Sequence, residues 1–339
     1  MIDLRSDTVT KPSAAMLEAM MNAEVGDDVF GEDPSINKLQ EKAAAMFNME
    51  AALFCPSGTM TNQIALTTHV QSMEEIIVEK DSHIYQYEGG GIFHNTRASV
   101  KLVDGINGKM TAAQVVAAIN PDDIHKPISK LVSLENTTNR GGGGTYSLSE
   151  LQEISKICKE KELILHLDGA RVFNAFIKEG YGPSDLGPIF DSISICLSKG
   201  LGCPVGSLLL GSKAFIRKSL RVRKVFGGGM RQAGFLAAAG IYALDNNIER
   251  LRDDHQLAMQ FKDILNELSY VSNVVPVQTN IVIFNLKENI DPFKFLDYLS
   301  EAGVKAVSFG GQAIRFVTHM DFKEDMIKEV KKVLESFNP

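Results

Sequence analysis

Lys199 is the residue whose placement in this sequence most suggests chemistry. It separates an apolar run from a group of glycines in ICLSKGLGCPVGS (195–207). A lysine amine that has lost its proton is a nucleophile, and burial beside positive charge lowers a lysine pKa towards that state. Most lysines are solvated, however, so a reactive Lys199 would need partners from other segments.

Asp168 is a second candidate, because it ends the apolar run LILHLD (163–168). A buried carboxylate is costly unless a cation or several donors stabilise it. Two interpretations are open. Asp168 either forms an ion pair with Arg171, which follows three residues later, or is held ready for a cationic atom of a ligand.

Ser57, Gly58 and Thr59 follow a third apolar run, ALF (52–54), and precede a helix-like segment. Backbone N–H groups at a helix N-terminus bind phosphate, and two hydroxyls would add donors. An ordinary turn capped by serine is the commoner outcome of such a pattern. Either a phosphate site or a simple cap is therefore expected here.

The glycines after Lys199 loosely resemble a dinucleotide-binding loop, with Gly200, Gly202 and Gly206 after a strand. That fingerprint must open a helix. Pro204 and the apolar run 207–211 leave no room for one, so the segment predicts a tight hairpin. A nicotinamide-dependent dehydrogenase is accordingly disfavoured.

Short apolar runs alternate with amphipathic segments through most of the chain, which predicts an α/β fold with a mostly parallel sheet covered by helices. The strands expected in this part are 52–54, 75–79, 130–136, 163–168, 192–198 and 207–211. The helices expected are 13–21, 34–47, 112–119, 147–161 and one continuous helix from 231 to about 268. Gly141 to Gly144 lack the lysine of a P-loop and predict a flexible loop.

The C-terminal part has a different pattern, which predicts a smaller α/β domain. Its expected strands are 280–286, 304–309 and 313–319, and its expected helices are 292–302 and 323–337. We predict a large domain at 13–250 and a small domain at 251–339, preceded by an N-terminal segment at 1–12 whose contribution to the active site is implied by the family resemblance described below. Ligands of open α/β sheets bind where parallel strands end, so the candidate residues should meet at one edge.

Composition excludes several classes of function. A chain of 339 residues with 44% hydrophobic content can bury a large core, as a globular protein does. Its net charge of -7 and its lack of a basic run argue against a nucleic-acid partner. No signal-peptide core and no apolar stretch near ~20 residues is found, so we expect a cytoplasmic protein without a membrane partner. Four separated cysteines predict neither disulfides nor a metal site.

The segments SGT, DGAR and SKG each follow a predicted strand. Their residues and their order resemble those of pyridoxal-phosphate enzymes of the aspartate aminotransferase fold type (fold type I). Longer segments are similar, in order and along nearly the whole chain, to the low-specificity threonine aldolases. They are MIDLRSDTVTKP, GDDVFGEDP, PSGTMTNQIAL, VSLENTTN, LHLDGARVFNA, CLSKGLGCPVGSLL, GGGMRQAG and RFVTHMD. The resemblance implies a large domain that binds pyridoxal 5'-phosphate and a smaller C-terminal domain.

The resemblance also implies roles for the cofactor-binding residues. Lys199 would hold the cofactor as a Schiff base, and Asp168 would bond its pyridine nitrogen. The segment 57–59, with Ser57, Gly58 and Thr59, would bind the phosphate. His83 would lie over the ring, and Arg171 would border the cofactor as well as the substrate.

For the substrate, the resemblance implies that Ser6, Arg171 and Arg315 hold the carboxylate and that His125 lies near the hydroxyl. Arg231 would approach the active site of a neighbouring subunit. Two simpler alternatives stay open: His125 is an ordinary surface histidine, and Arg315 pairs with an acid such as Asp321.

The implied reaction is cleavage of L-threonine or L-allo-threonine to glycine and acetaldehyde, in threonine catabolism and glycine biosynthesis. His83 or His125, directly or through water, would take the hydroxyl proton, since histidine titrates nearest neutral pH. The alternatives are another lyase or a hydroxymethyltransferase of the same fold type, or a non-catalytic protein that binds pyridoxal phosphate. A homotetramer built of dimers is implied by the family, and no metal is expected.

Overall fold

A seven-stranded sheet, a four-stranded sheet, a two-stranded sheet and the helices around them form the structure, a computed structural model that describes residues 1–338. The strands are β1 (Ile2–Asp3), β2 (Ala51–Cys55), β3 (Glu74–Glu79), β4 (Ser99–Val103), β5 (Ile128–Glu135), β6 (Ile164–Gly169), β7 (Ser192–Cys196), β8 (Ser207–Gly211), β9 (Val271–Val274), β10 (Ile281–Leu286), β11 (Val304–Lys305), β12 (Val307–Gly310) and β13 (Ala313–Val317).

Six predicted helices begin and end within one residue of their expected bounds, and the described chain has fourteen α-helices. They are α1 (Ala14–Met21), α2 (Pro34–Met46), α3 (Gly58–His69), α4 (His83–Gln86), α5 (Gly91–Thr96), α6 (Ala112–Ala118), α7 (Leu148–Glu160), α8 (Val172–Glu179), α9 (Pro183–Leu186), α10 (Lys213–Val225), α11 (Gly234–Asn246), α12 (Leu251–Glu267), α13 (Pro292–Glu301) and α14 (Glu324–Ser336).

The large sheet has seven strands in the order β2-β8-β7-β6-β5-β3-β4. Only β8 runs against the others, so the sheet is mostly parallel, as predicted. The central strand β7 is buried along its whole length because helices cover both faces of the sheet. This order brings the carboxyl ends of β5, β6 and β7 side by side.

The small sheet is antiparallel, in the order β12-β13-β10-β9, with α12, α13 and α14 packed around its apolar residues. The strand β1 pairs in parallel with β11, so that Ile2 lies opposite Val304. The chain's first residues therefore pack with the C-terminal part, and the segment after them crosses towards the large sheet.

The prediction that the chain returns as a neighbouring antiparallel strand after Lys199 is confirmed, since β7 and β8 pair in this way. Their connection, residues 197–206, carries the lysine and is longer than the tight turn expected. Gly206 lies in this connection at φ 129°, and a Cβ there would be 2.7 Å from the Phe54 ring. A larger residue would therefore both strain the backbone and displace a core side chain.

Two predicted elements differ in the structure. The helix expected from 231 to 268 is broken at 247–250, where Asn247 and Arg250 turn to donate hydrogen bonds to the carbonyls of Leu201 and Gly200. The strand expected at 304–309 is two strands, because β11 pairs with β1 and β12 pairs with β13.

The glycines at 141–144 are buried, so the expectation of a flexible loop is wrong. Gly141 packs against Asn107 and Thr138, and Gly143 packs against Thr279. All four cysteines are free and buried. Within the described chain no helix combines the length and the apolar character needed to cross a membrane.

Candidate active site

Two cavities that share His83 and Lys199 lie where the parallel strands of the large sheet end. The inner cavity, of about 170 Å³, is bounded by the start of α3 and the ends of β6 and β7. The outer cavity, of about 430 Å³, opens towards the small sheet. Together they bring in nine of the eleven predicted site residues: Ser6, Ser57, Gly58, Thr59, His83, Asp168, Arg171, Lys199 and Arg315.

Lys199 is held through its backbone while its side chain stays available. Its carbonyl accepts hydrogen bonds from the Thr10 hydroxyl at 3.1 Å and from the Gly202 N–H at 2.8 Å. Among residues 1–338 no carboxylate forms an ion pair with its amine. The amine is therefore free to react with a ligand in either cavity.

Asp168 is the penultimate residue of β6 and is 2% exposed. It accepts hydrogen bonds from the Asn62 amide at 3.0 Å and from the Ala170 N–H at 3.1 Å, and both donors are neutral. The alternative ion pair with Arg171 is wrong, because that guanidinium binds Asp7 instead. The Asp168 carboxylate is thus buried in a cavity wall, and no cation of the described chain bonds to it. A cationic ligand atom would compensate its charge.

Arg171 forms a two-point ion pair with Asp7, at 2.8 Å from Nε and 2.6 Å from Nη2. Burial alone would raise the pKa of Asp7, but the guanidinium outweighs burial and holds that pKa well below its usual range. Sequence analysis missed Asp7, although it lies in LRSDTVT. Because Arg171 is already neutralised, it contributes donors to the outer cavity without a free charge.

The segment 57–59 at the start of α3 can act both as a helix cap and as a phosphate site. Ser57 is the N-cap, and its hydroxyl accepts the Met60 N–H at 3.2 Å. The N–H groups of Gly58 and Thr59 belong to the first helical turn, which has no partners within the helix. The Ser207 hydroxyl is buried, has no hydrogen bond within the part of the chain that the structure describes, and lies 3.7 Å from where a Cβ on Gly58 would lie. An anionic group would find donors here.

His83 begins α4 and is oriented by two glutamates. Its Nδ1 lies 3.2 Å from Glu88 Oε1, and its backbone N–H donates to Glu135 at 2.6 Å. Burial acts to lower the pKa of His83, but the hydrogen bond to Glu88 and the charge of Asp168 raise it overall. Burial and Asp168 in turn raise the pKa of Glu88.

Glu135 ends β5 beside Asp168 and was missed, although its strand carries the same signal of an apolar run that ends in an acid. Its carboxylate accepts the N–H of His83 and, at 2.7 Å, that of Asn139. Burial first, and then the charge of Asp168, raise its pKa to about 7. One side chain thus fixes the positions of both His83 and the loop that borders the outer cavity.

Arg315 reaches the outer cavity from β13. It donates to Asn139 Oδ1 at 2.8 Å and to the Arg5 carbonyl at 2.9 Å, and its buried Nε has no hydrogen-bond partner among the described residues. The alternative pair with Asp321 is wrong, since Asp321 binds the Lys11 N–H. Burial and the nearby Arg171 lower the pKa of Arg315 to about 10, so it remains a cation at neutral pH. It is a cation with neutral partners and an orphaned donor.

His125 and Arg231 lie outside both cavities of their own chain. His125 precedes β5, about 25 Å of strand away from the end that carries Glu135. Its side chain is 82% exposed and contacts Asp123. Arg231 pairs with Asp27 at 2.8 Å. A role for either residue at this site would require a second copy of the chain.

Comparisons with known proteins agree with this geometry. The β-eliminating lyase family matches residues 3–289. The low specificity L-threonine aldolase of Escherichia coli strain K12 is 44% identical over 331 residues, which cover 97% of each chain. A threonine aldolase structure from Leishmania major has a TM-score of 0.84 at 23% identity and covers 99% of each chain.

The fold extends to more distant enzymes. An aspartate aminotransferase from Rhizobium meliloti has a TM-score of 0.69 at 17% identity, covering 98% of this chain and 90% of its own. The architecture is therefore fold type I, as the sequence predicted. By sequence, the chain belongs to the β-eliminating lyase family and, within it, to the low-specificity L-threonine aldolases.

Proposed function

We propose that this protein cleaves L-threonine and L-allo-threonine between Cα and Cβ to give glycine and acetaldehyde, with pyridoxal phosphate as cofactor. One observation carries the proposal. One cavity of about 170 Å³ is lined by a lysine that has no ion pair within residues 1–338, a buried carboxylate with neutral partners and the free donors of a helix N-terminus. These are the three groups that the aldehyde, the ring nitrogen and the phosphate of this cofactor require.

The residues present fit the cofactor. The start of α3 and the unpartnered Ser207 hydroxyl supply donors for its phosphate, and Lys199 supplies the amine for covalent attachment. Asp168, kept anionic, would hold a proton on the ring nitrogen by placing an opposite charge beside it. When bound, the cofactor stabilises the electron pair left on Cα as the Cα–Cβ bond breaks.

Substrate orientation falls to residues of the outer cavity. Arg315 would bind the α-carboxylate through its free donor, with the Ser6 hydroxyl and the Arg171 guanidinium beside it. A carboxylate held by charge-assisted hydrogen bonds has little freedom to rotate. The breaking bond can then be presented to the inner cavity in one orientation.

His83 is the base that we propose for the β-hydroxyl proton, because it alone among the candidate histidines lines the cavities of its own chain. As the O–H proton moves to the imidazole, the C–O bond becomes the carbonyl of acetaldehyde and the Cα–Cβ bond breaks. The proton taken from the hydroxyl is balanced by the one that is added to Cα when glycine forms. His125 would act only across a subunit boundary.

Acetaldehyde release tests the proposal. The purified protein, supplied with pyridoxal phosphate and L-threonine but no tetrahydrofolate, should form acetaldehyde and glycine in equal amounts. Glycine formation that depends on tetrahydrofolate would indicate a hydroxymethyltransferase, and ammonia with a keto acid would indicate a β-eliminating lyase. Absence of any turnover, with cofactor bound, would indicate a non-catalytic binding protein.

Replacing Arg315 should impair substrate binding more than turnover. In Arg315→Gln the charge is lost, and hydrogen bonds to charged groups contribute about 1.5–3 kcal/mol, so KM for threonine should rise roughly 10- to 100-fold. Steady-state kinetics measure this, with Arg217→Gln on the exposed face of α10 as the matched control. A KM that stays at the wild-type value would remove Arg315 from the carboxylate site.

Glu88 should set the pH at which activity is lost in acid. Its hydrogen bond raises the pKa of His83, so Glu88→Gln should lower that pKa and move the acidic limb of kcat/KM to lower pH, by roughly one unit. The sign follows because His83 accepts a proton only when it is neutral. Glu153→Gln, on the exposed face of α7, is the control. An unmoved limb would mean that His83 is not the base.

We propose a homotetramer in the cytoplasm as the working form, in line with the family. The exposed positions of His125 and Arg231 support an assembly in which a second copy covers them. Light scattering gives the mass. If His125 acts across subunits, mixing His125→Ala with Lys199→Ala subunits should restore part of the activity that each variant lacks.

A further inference from the structure

Arg140 borders the outer cavity and has no role in the proposed reaction of threonine. Its guanidinium carbon lies 4.3 Å from the centre of the Phe309 ring and 5.5 Å from that of Tyr87. One nitrogen donates to the Phe309 carbonyl at 2.5 Å. The two rings and this bond hold the planar cation at the cavity mouth, while its other donors stay free.

The outer cavity has more positive charge than is needed to bind a substrate with a single carboxylate. Of its three arginines, Arg171 is neutralised by Asp7, whereas Arg315 and Arg140 bind only neutral groups within residues 1–338. One of these two cations matches the α-carboxylate that every amino-acid substrate carries. The other has no counterpart in threonine, whose remaining groups are a hydroxyl and a methyl.

The two unpaired guanidiniums lie near each other because both stack on Phe309, at 4.3 and 4.8 Å from its centre. Their positive charges repel, and Arg140 is among the groups that lower the pKa of Arg315. A ligand with two carboxylates would relieve this repulsion at both ends. Arg140 is exposed, so it meets the part of a substrate that points out of the inner cavity.

We propose that Arg140 is a specificity residue that binds a second carboxylate, borne by the β-carbon of the substrate, and that this protein cleaves β-hydroxy-α-amino dicarboxylic acids. This inference rests on the proposed function. With 3-hydroxyaspartate the same Cα–Cβ bond breaks, the β-hydroxyl becomes a carbonyl and its proton is balanced by the one that glycine gains at Cα. The products are glycine and glyoxylate, and no other reactant is required.

Paired substrates test the role of the second charge. The holoenzyme is assayed with L-3-hydroxyaspartate, as both diastereomers, and with the neutral L-3-hydroxyasparagine. We expect kcat/KM to be about tenfold higher for the acid, and the preference to shrink as salt is added. In Arg140→Gln the preference should vanish, whereas the control Arg217→Gln, which also removes one surface cation, should keep it.

Two results would overturn the inference. One is an equal kcat/KM for the acid and the amide in the wild-type holoenzyme. The other is a loss in Arg140→Gln that is the same for threonine as for 3-hydroxyaspartate, because that would place Arg140 at the α-carboxylate.

A binding measurement separates this inference from the proposed function. L-Aspartate and L-asparagine have the same shape but differ by one carboxylate, and neither has a hydroxyl to cleave. Calorimetry on the holoenzyme should show aspartate binding about tenfold more tightly, and Arg140→Gln should abolish the difference. If threonine yields no acetaldehyde, the proposed function fails, and the aspartate comparison still decides the role of Arg140.

Discussion

Lys199→Ala should abolish threonine cleavage, lowering kcat by roughly 10⁴-fold or more, a loss of about 5.5 kcal/mol in stabilisation of the transition state. Lys199 is an amine on the walls of both cavities that no carboxylate of the described chain pairs with. Alanine leaves nothing there to attach the cofactor or to displace the product. The assay is acetaldehyde release, followed by the visible absorbance of the purified protein.

The fold of this variant should be intact, because the loop is held by the backbone carbonyl of residue 199 and not by its side chain. Circular dichroism and the elution volume should match the wild type, and Lys332→Ala on the exposed face of α14 is the control. Borohydride reduction of the wild-type holoenzyme should attach the cofactor to the peptide that contains Lys199. A label on another lysine would refute the assignment.

Asp168→Asn should nearly eliminate turnover while leaving the protein at least as stable. The amide keeps the shape and an acceptor for Asn62, but it removes the charge that would hold a proton on the ring nitrogen. Loss of one preorganised electrostatic contact of this kind lowers kcat by about 10²–10³-fold. The control is Asp263→Asn, on the exposed face of α12.

The free energy of unfolding should not fall with activity in Asp168→Asn, because the charge of Asp168 repels two other buried acids. Its charge contributes, after burial, to raising the pKa of Glu88 and of Glu135. In the protein freed of cofactor, folded Glu135 keeps its proton up to about pH 7, whereas the unfolded chain releases it near 4.5. The free energy of unfolding should therefore fall as pH rises between these values, and Asp168→Asn should weaken that fall.

Urea unfolding at several pH values measures this difference. Equal activity in wild type and Asp168→Asn would contradict the role of the carboxylate in catalysis. An unchanged pH dependence of the free energy of unfolding would contradict its coupling to Glu135.

The residues of the inner cavity could be predicted from the sequence because patterns within short segments identify them. An apolar strand that ends in a polar residue identifies Asp168, and a glycine-bearing turn before a helix identifies Ser57. Both are properties of short segments. The same rule, applied to VSLEN, would also have identified Glu135.

The outer cavity depends on contacts that no short segment encodes. Asp7 binds Arg171 across 164 positions, and Arg140 meets Phe309 across 169. Periodicity says which face of an element is apolar but not which distant loop lies against it. For this reason Asp7 was missed as the partner of Arg171, and Arg140 was overlooked.

Element boundaries failed where tertiary contacts override local preference. The stretch from 231 to 268 is uniformly helical in pattern, yet it breaks where Asn247 and Arg250 bind the loop that follows Lys199. The strand at 304–309 is continuous in pattern but divides between two partners. The break in the helix lets these two residues hold the loop after Lys199. The division of the strand leaves β12 to border the outer cavity.

The pairing of β1 with β11 has a consequence for synthesis on the ribosome. Ile2 leaves the exit tunnel early, but its partner Val304 follows only after about 300 further residues have been joined. Until then Ile2 and Leu4 lack the apolar surface that buries them, and Asp7 lacks Asn280. Pairings this distant in sequence form slowly. Arg315, which we propose binds the substrate carboxylate, lies on β13 and follows Val304 in the chain. It would therefore be positioned last, so a nascent chain could fold its large sheet well before it could bind an amino acid.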